Sequence, residues 1–186
     1  LQRDERDTGS PQPESAYQVR HLERLPLGTP YPRQVERVAR VIEQVRHLTN
    51  LDAKPTDPPA AAPRLAVDQT GVGRPVVDML RQAGMQRLHA ISITAGDTAT
   101  REGQDYRVPK RELVSVLQVL LQTERLAVAA ALPEAETLTK EMLAFKVTIS
   151  AAGHDSYGND WRENPHDDLV LAVALAAWVG ETLSGV

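Results

Sequence analysis

Residues 169–179, LVLAVALAAWV, are apolar at every position. A helix that is hydrophobic all round does not lie on a protein surface; it sits in a core or in a membrane. Eleven residues fall short of the roughly 18 that a bilayer span needs. The run is therefore expected to be a central, buried helix, and the rest of the chain must supply layers around it. Its start is expected near Asn164, a good cap, with Pro165 at the first helical position.

The remaining pattern can supply those layers. Residues 17–25 alternate with period two and predict a half-buried strand, followed by a turn at 26–32. Residues 34–48 predict an amphipathic helix, with Val35, Val38, Val41, Ile42 and Val45 on one stripe. The stretch 49–63 holds four prolines and several alanines and predicts a linker within a single domain. Residues 65–68 predict a short strand buried on both faces. A helix over 73–83 stops near Gly84, and a strand is expected over 88–94. A polar loop is expected over 95–109, then a helix over 111–123 and a strand over 126–130. A further helix starts at Pro133 and runs to about Phe145. One more strand is expected over 147–150 and an irregular loop over 153–163. Strands alternating with helices imply an α/β sheet with parallel crossovers, and 186 residues suit one domain of ordinary size.

Composition excludes several classes. The chain has no cysteine, so disulfides, thiolate metal sites and a cysteine nucleophile are excluded. A formal net charge of −4 is not that of a basic nucleic-acid coat, so any contact with nucleic acid must be local. The amino-terminal residues are polar, without the apolar core of a signal peptide, and no membrane association is expected.

Two acidic places are candidates for chemistry. Asp68 ends an apolar strand before Gln69-Thr70-Gly71-Val72-Gly73, and the carboxyl end of a buried strand is a common place for a site. His166-Asp167-Asp168 opens the apolar helix. The two are expected to meet in space. Hard carboxylate oxygens of this kind suit a magnesium-like ion, which keeps several waters and takes one or two protein carboxylates plus substrate phosphate oxygens. Two such ions about 3.5–4 Å apart can stabilise the attacking and leaving oxygens of a phosphoryl displacement. Plainer readings fit each place alone: Asp68 as a turn residue, Asp167 and Asp168 as partners of the helix dipole. Gly71-Val72-Gly73 lacks the third glycine of a dinucleotide loop. Arg101, Arg107, Lys110 and Arg111 cluster, with Lys140, Lys146 and Arg162 able to extend a surface for backbone phosphates.

Taken together, residues 17–31 (YQVRHLERLPLGTPY), 67–73 (VDQTGVG), 106–113 (YRVPKREL), Trp161-Arg162-Glu163 and residues 166–172 (HDDLVLA) carry a resemblance. The chain resembles the nuclease domain of tailed-phage terminase large subunits, the DNA-packaging motor proteins, over nearly its whole length. The resemblance implies a ribonuclease H-like α/β fold, a mixed sheet flanked by helices. It implies a metal-dependent endonuclease that cuts concatemeric double-stranded viral DNA with two Mg2+ or Mn2+ ions. Asp68 corresponds to the second of the family's three metal-binding acids. The Asp167-Asp168 pair corresponds to the third, with Asp168 favoured. His166 is expected beside the ligands, and Lys110, Arg111 and Arg162 are expected on the DNA backbone. The partners implied are DNA, the terminase small subunit, the portal protein and an ATPase domain of the same polypeptide. The implied location is the host cytoplasm, at the procapsid portal.

The family's first acid lies on a strand ahead of residues 17–26, and the resemblance leads to the expectation that this strand is missing or incomplete here. Asp4 and Asp7 are expected in the following loop, as poor substitutes, and the family's ATPase domain is expected to lie outside these 186 residues. A second expectation therefore stands beside the first: a catalytically incomplete ribonuclease H-like module that docks on DNA or the portal. Another nuclease of the same fold, such as a junction resolvase, is a third; the VPKREL and HDDLVLA stretches speak against it.

Overall fold

The computed structural model describes residues 15–52, 63–85, 87–144, 148–149, 155–156 and 167–183. In chain order the elements begin with β1 (Tyr17–Val19), α1 (Tyr31–Asp52), β2 (Leu65–Asp68), a 3-10 turn (Gly71–Gly73), α2 (Arg74–Gln82) and β3 (Leu88–Thr94). There follow β4 (Thr100–Glu102), β5 (Asp105–Pro109), α3 (Lys110–Gln122), β6 (Leu126–Val128), α4 (Ala135–Ala144), β7 (Thr148–Ile149), β8 (Asp155–Ser156) and α5 (Asp168–Leu183).

The architecture is α/β with a mixed sheet. Four strands run in the order β2-β3-β5-β4, with β2, β3 and β5 parallel and β4 antiparallel to β5. A second pair, β1 with β6, is also parallel. A crossover through α2 links β2 to its parallel neighbour β3, whereas β3 reaches β5 by way of β4, and α3 leads from β5 to β6 in the second pair. Covered parallel sheets need apolar side chains on both faces, and this one has them. Leu88 and Ala90 of β3 point to one side, where they join Val35 of α1 and Val77 and Leu80 of α2. Ile91, Tyr106 and Val108 point to the other, where α3 and α5 close a larger core around Trp178.

α5 lies at the centre of that larger core, as its uniform apolarity requires. It packs on α3, α4 and β2. Leu169, Val170, Val173, Ala174, Leu175, Ala177, Trp178, Val179 and Leu183 are buried, whereas Ala172 and Ala176 are exposed. One strip of the helix is thus built of small side chains facing a groove of about 310 Å3 beside β1. No helix among the described residues is long and apolar enough to cross a membrane.

Several elements differ from the expectation. Strand β1 stops at Val19 rather than continuing to residue 25, because its partner β6 is only three residues long and the ladder runs out. β2 is half-buried rather than buried on both faces: it lies at the edge of the four-stranded sheet, pairing only with β3 among the described residues. The expected polar loop over 95–109 contains the β4–β5 hairpin. Gly103, at φ 64, supplies the turn conformation that other residues resist, and Tyr106 and Val108 alternate inward against exposed Arg107. α1 begins at Tyr31 and runs through Asp52, past the expected end at residue 48; most of the expected linker lies outside the described residues. The expected irregular loop over 153–163 contributes β8, which pairs with β7. α5 is helical from Asp168 among the described residues; Asn164 and Pro165 lie outside them.

Candidate active site

Asp68 is the last residue of β2. Its Cα partner is Ile91, whose side chain lies in the core beneath α5, so Asp68 belongs to the sheet face that α5 covers. The carboxylate is exposed and Oδ1 accepts the Thr70 N–H at 2.7 Å, an Asx-type turn of the kind such a residue favours. Thr70 Oγ1 in turn accepts the Ile93 N–H at 2.8 Å, tying the turn to β3. Two glycines make this geometry possible. Gly71 sits at φ 64, and a Cβ on Gly73 would lie 2.6 Å from the Asp68 carbonyl oxygen. VDQTGVG is thus a rigid strand end that presents one carboxylate.

Asp167 opens α5: its carbonyl accepts the Leu171 N–H at 2.9 Å. Its side-chain Oδ2 pairs with Lys110 Nζ at 3.2 Å. Lys110 directly follows Pro109, the end of β5. Because β2, β3 and β5 are parallel, Asp68 and the Lys110–Asp167 pair share the carboxyl end of the sheet. They are not level. The register aligns Asp68 with Ile91 and Ile91 with Tyr106, so Lys110 lies four residues further, roughly 13 Å along the strand direction at ~3.3 Å per residue. Among the described residues, no three His, Asp or Glu side chains group closely enough to hold a metal ion.

Asp168 turns the other way. It lines a cleft of about 320 Å3 with Glu23, Arg24, Leu27, Gln34 and Ala172. Adjacent helical residues diverge by about 100°, and here that divergence separates Asp167, at the sheet end, from Asp168, in the cleft. In the cleft wall the Arg37 guanidinium holds the Glu23 carboxyl below its usual range; partial burial opposes this and His21 adds to it. The cleft is therefore furnished with paired charges.

Of the expected phosphate contacts, Arg111 is engaged with Asp97, through Oδ1 at 2.9 Å and the carbonyl oxygen at 2.5 Å. Arg162 and His166 lie outside the described residues.

No protein-family model, curated protein or solved structure matches this chain. The reading of the site therefore rests on its own chemistry.

One residue escaped the sequence reading. Among the described residues, Glu141 of α4 is the buried charged residue, 6% exposed. Its Oε2 accepts the backbone N–H groups of Leu169 at 2.9 Å and Val170 at 3.1 Å, and its Oε1 accepts from Arg24. A helix leaves its first N–H groups without intrahelical partners, and here a side chain from another helix satisfies two of them. A signal was present: Glu141 stands three residues after Leu138, so both occupy the inward stripe of α4, where a carboxylate is unexpected.

Proposed function

We propose that this chain is a ribonuclease H-like, metal-dependent endonuclease domain of the terminase large-subunit type, acting on double-stranded DNA during viral genome packaging. The observation that carries the reading is the placement of Asp68 and the Lys110–Asp167 pair at the carboxyl end of parallel strands, with Asp68 on the face covered by α5. This is where open α/β sheets build sites.

The donor set fits magnesium or manganese in kind. Asp68 and Asp167 offer exposed and half-exposed carboxylate oxygens at the sheet end, while Asp168 offers its own in the cleft; all are hard donors that suit ions retaining water and substrate phosphate. Bound there, such ions would supply charge neutralisation at the phosphodiester and an activated water. The chain's own residues do the rest. Thr70 N–H fixes one oxygen of Asp68 and leaves the other outward. Lys110 orients Asp167 and adds positive charge where a DNA phosphate would approach. Asp97 and Arg111 brace the neighbouring loop.

The test is cleavage of plasmid DNA with Mg2+ or Mn2+ by the full-length protein and by its Asp68→Asn variant. The variant should fold and fail to cut; cutting that persists in Asp68→Asn removes Asp68 from the site. A second reading is a module that docks on DNA or the portal without cutting. The offset between Asp68 and the Lys110–Asp167 pair along the sheet favours it. Calorimetric titration discriminates: no Mg2+ or Mn2+ binding at millimolar concentration supports docking, and binding lost in Asp68→Asn supports the nuclease.

A further inference from the structure

The centre of the α4–α5 contact is a buried carboxylate that bonds backbone rather than a basic side chain alone. Glu141 Oε2 accepts from the Leu169 and Val170 N–H groups. These amides follow Asp167 and Asp168 directly, so whatever holds them holds the carboxylates' backbone. Glu141 Oε1 faces Arg24, whose Nε is buried without an acceptor among the described residues; Glu141 therefore anchors Arg24 as well. Arg24 belongs to the segment that walls the Asp168 cleft. One carboxylate thus joins three parts of the molecule: α4, the first turn of α5, and the wall segment after β1.

We infer that Glu141, backed by Arg24, is a positioning residue that sets the first turn of α5 and so places Asp167 against Lys110 and Asp168 in its cleft. The inference deepens the nuclease reading, on which its consequence for cutting rests. A capping side chain brought from a different helix fixes not only the orphan N–H groups but the azimuth of the turn relative to the sheet. A local cap on α5 would satisfy the same amides without fixing that azimuth. Burial makes the contact exacting, because a buried carboxylate left without its partners is costly and so holds one geometry.

The experiment compares wild-type protein with Glu141→Ala, Glu141→Gln and the double variant Glu141→Gln/Arg24→Met. Gln keeps an acceptor oxygen for the two N–H groups, and Met removes the cation that would face its amide. Three readouts are taken on folded protein. Amide hydrogen exchange at Leu169 and Val170 should quicken about tenfold in Glu141→Ala, with exchange at Leu117 of α3 unchanged. The Asp167 carboxyl carbon resonance should move toward its position in a Lys110→Ala control. Plasmid cleavage should fall about 100-fold in kcat with KM for DNA unchanged, the cost of a small misplacement. The double variant should recover all three most of the way, which loss of fold would not allow.

Unchanged exchange at Leu169 and Val170, or an unmoved Asp167 resonance, overturns the inference whatever happens to cleavage. Altered exchange and resonance with full cleavage per folded molecule overturns the link to catalysis. If wild type itself does not cut while exchange and resonance respond as described, the nuclease reading fails and Glu141 stands as the residue that places the α5 carboxylates.

Discussion

Trp178 Nε1 donates to Glu112 Oε1 at 2.7 Å, joining the middle of α5 to the first turn of α3. The same indole packs edge-on against Tyr106, ring centroids 5.3 Å apart. A buried indole finds a partner for its N–H, and here the partner is an acid placed at the positive end of a helix. One side chain therefore ties sheet, α3 and α5 together.

Trp178→Phe keeps an aromatic ring but strands the part-buried Glu112 carboxylate. The variant should lose about 1–3 kcal/mol of stability, read as a lowered urea midpoint. Glu112→Gln in the same background should recover part of the loss, since the remaining group carries no charge.

The strand end is unforgiving at Gly73. Its Cβ would meet the Asp68 carbonyl at 2.6 Å, backbone against backbone, so Gly73→Ala should cost about 1–3 kcal/mol. At Gly71 there is open space but φ is 64, so Gly71→Ala should cost only about 1 kcal/mol. Chemical denaturation of both variants checks the order, and Gly73→Ala should also lower metal-dependent cleavage by shifting Asp68.

Stability should depend on the protonation of His89. Burial lowers its pKa, with Arg64, Arg101 and Arg87 adding to the effect, and neither ring nitrogen has a partner among the described residues. The folded chain thus resists the proton that the unfolded chain accepts near pH 6.5. The imidazole imposes no penalty above that pH. As pH falls through 6.5 toward the lowered folded value, stability declines, then levels once both states are protonated. Urea midpoints between pH 7.5 and 5 should show this decline, and His89→Phe, which cannot titrate, should flatten it.

Lys110→Ala should separate binding from folding. The Lys110–Asp167 pair is only partly shielded, so its loss should cost no more than about 1 kcal/mol. Cleavage should fall at least tenfold, because Asp167 loses its orienting cation, a consequence of misplacement. A thermal melt beside a plasmid assay measures both.

Much of this architecture was legible because periodicity reports burial. Residues 65–68 and 88–94 read as strands, and they are. The run over 169–179 read as a buried helix, and it is the core. What escaped was set by tertiary pairing. Tyr106 and Val108 alternate over too few residues to outweigh their polar neighbours, so β5 looked like loop until β3 paired with it. Glu141 went unread, because its partners are backbone amides 28 and 29 residues further along the chain. Asp68, Asp167 and Asp168 were legible as residue types at element ends. Their spacing across the sheet was not, since register is invisible without the partner strand.

α5 is the last described element of the chain, yet nine of the sixteen buried members of the larger core lie on it. Synthesis from the amino end therefore delivers β2, β3, β5, α3 and α4 before the piece that covers them. Until that piece emerges, Ile91, Tyr106, Leu113, Leu117 and Leu138 face water, and the growing chain is sticky where the mature one is packed. The closing of this core is gated by α5, and the carboxylates at that helix's start come into place only when the core closes.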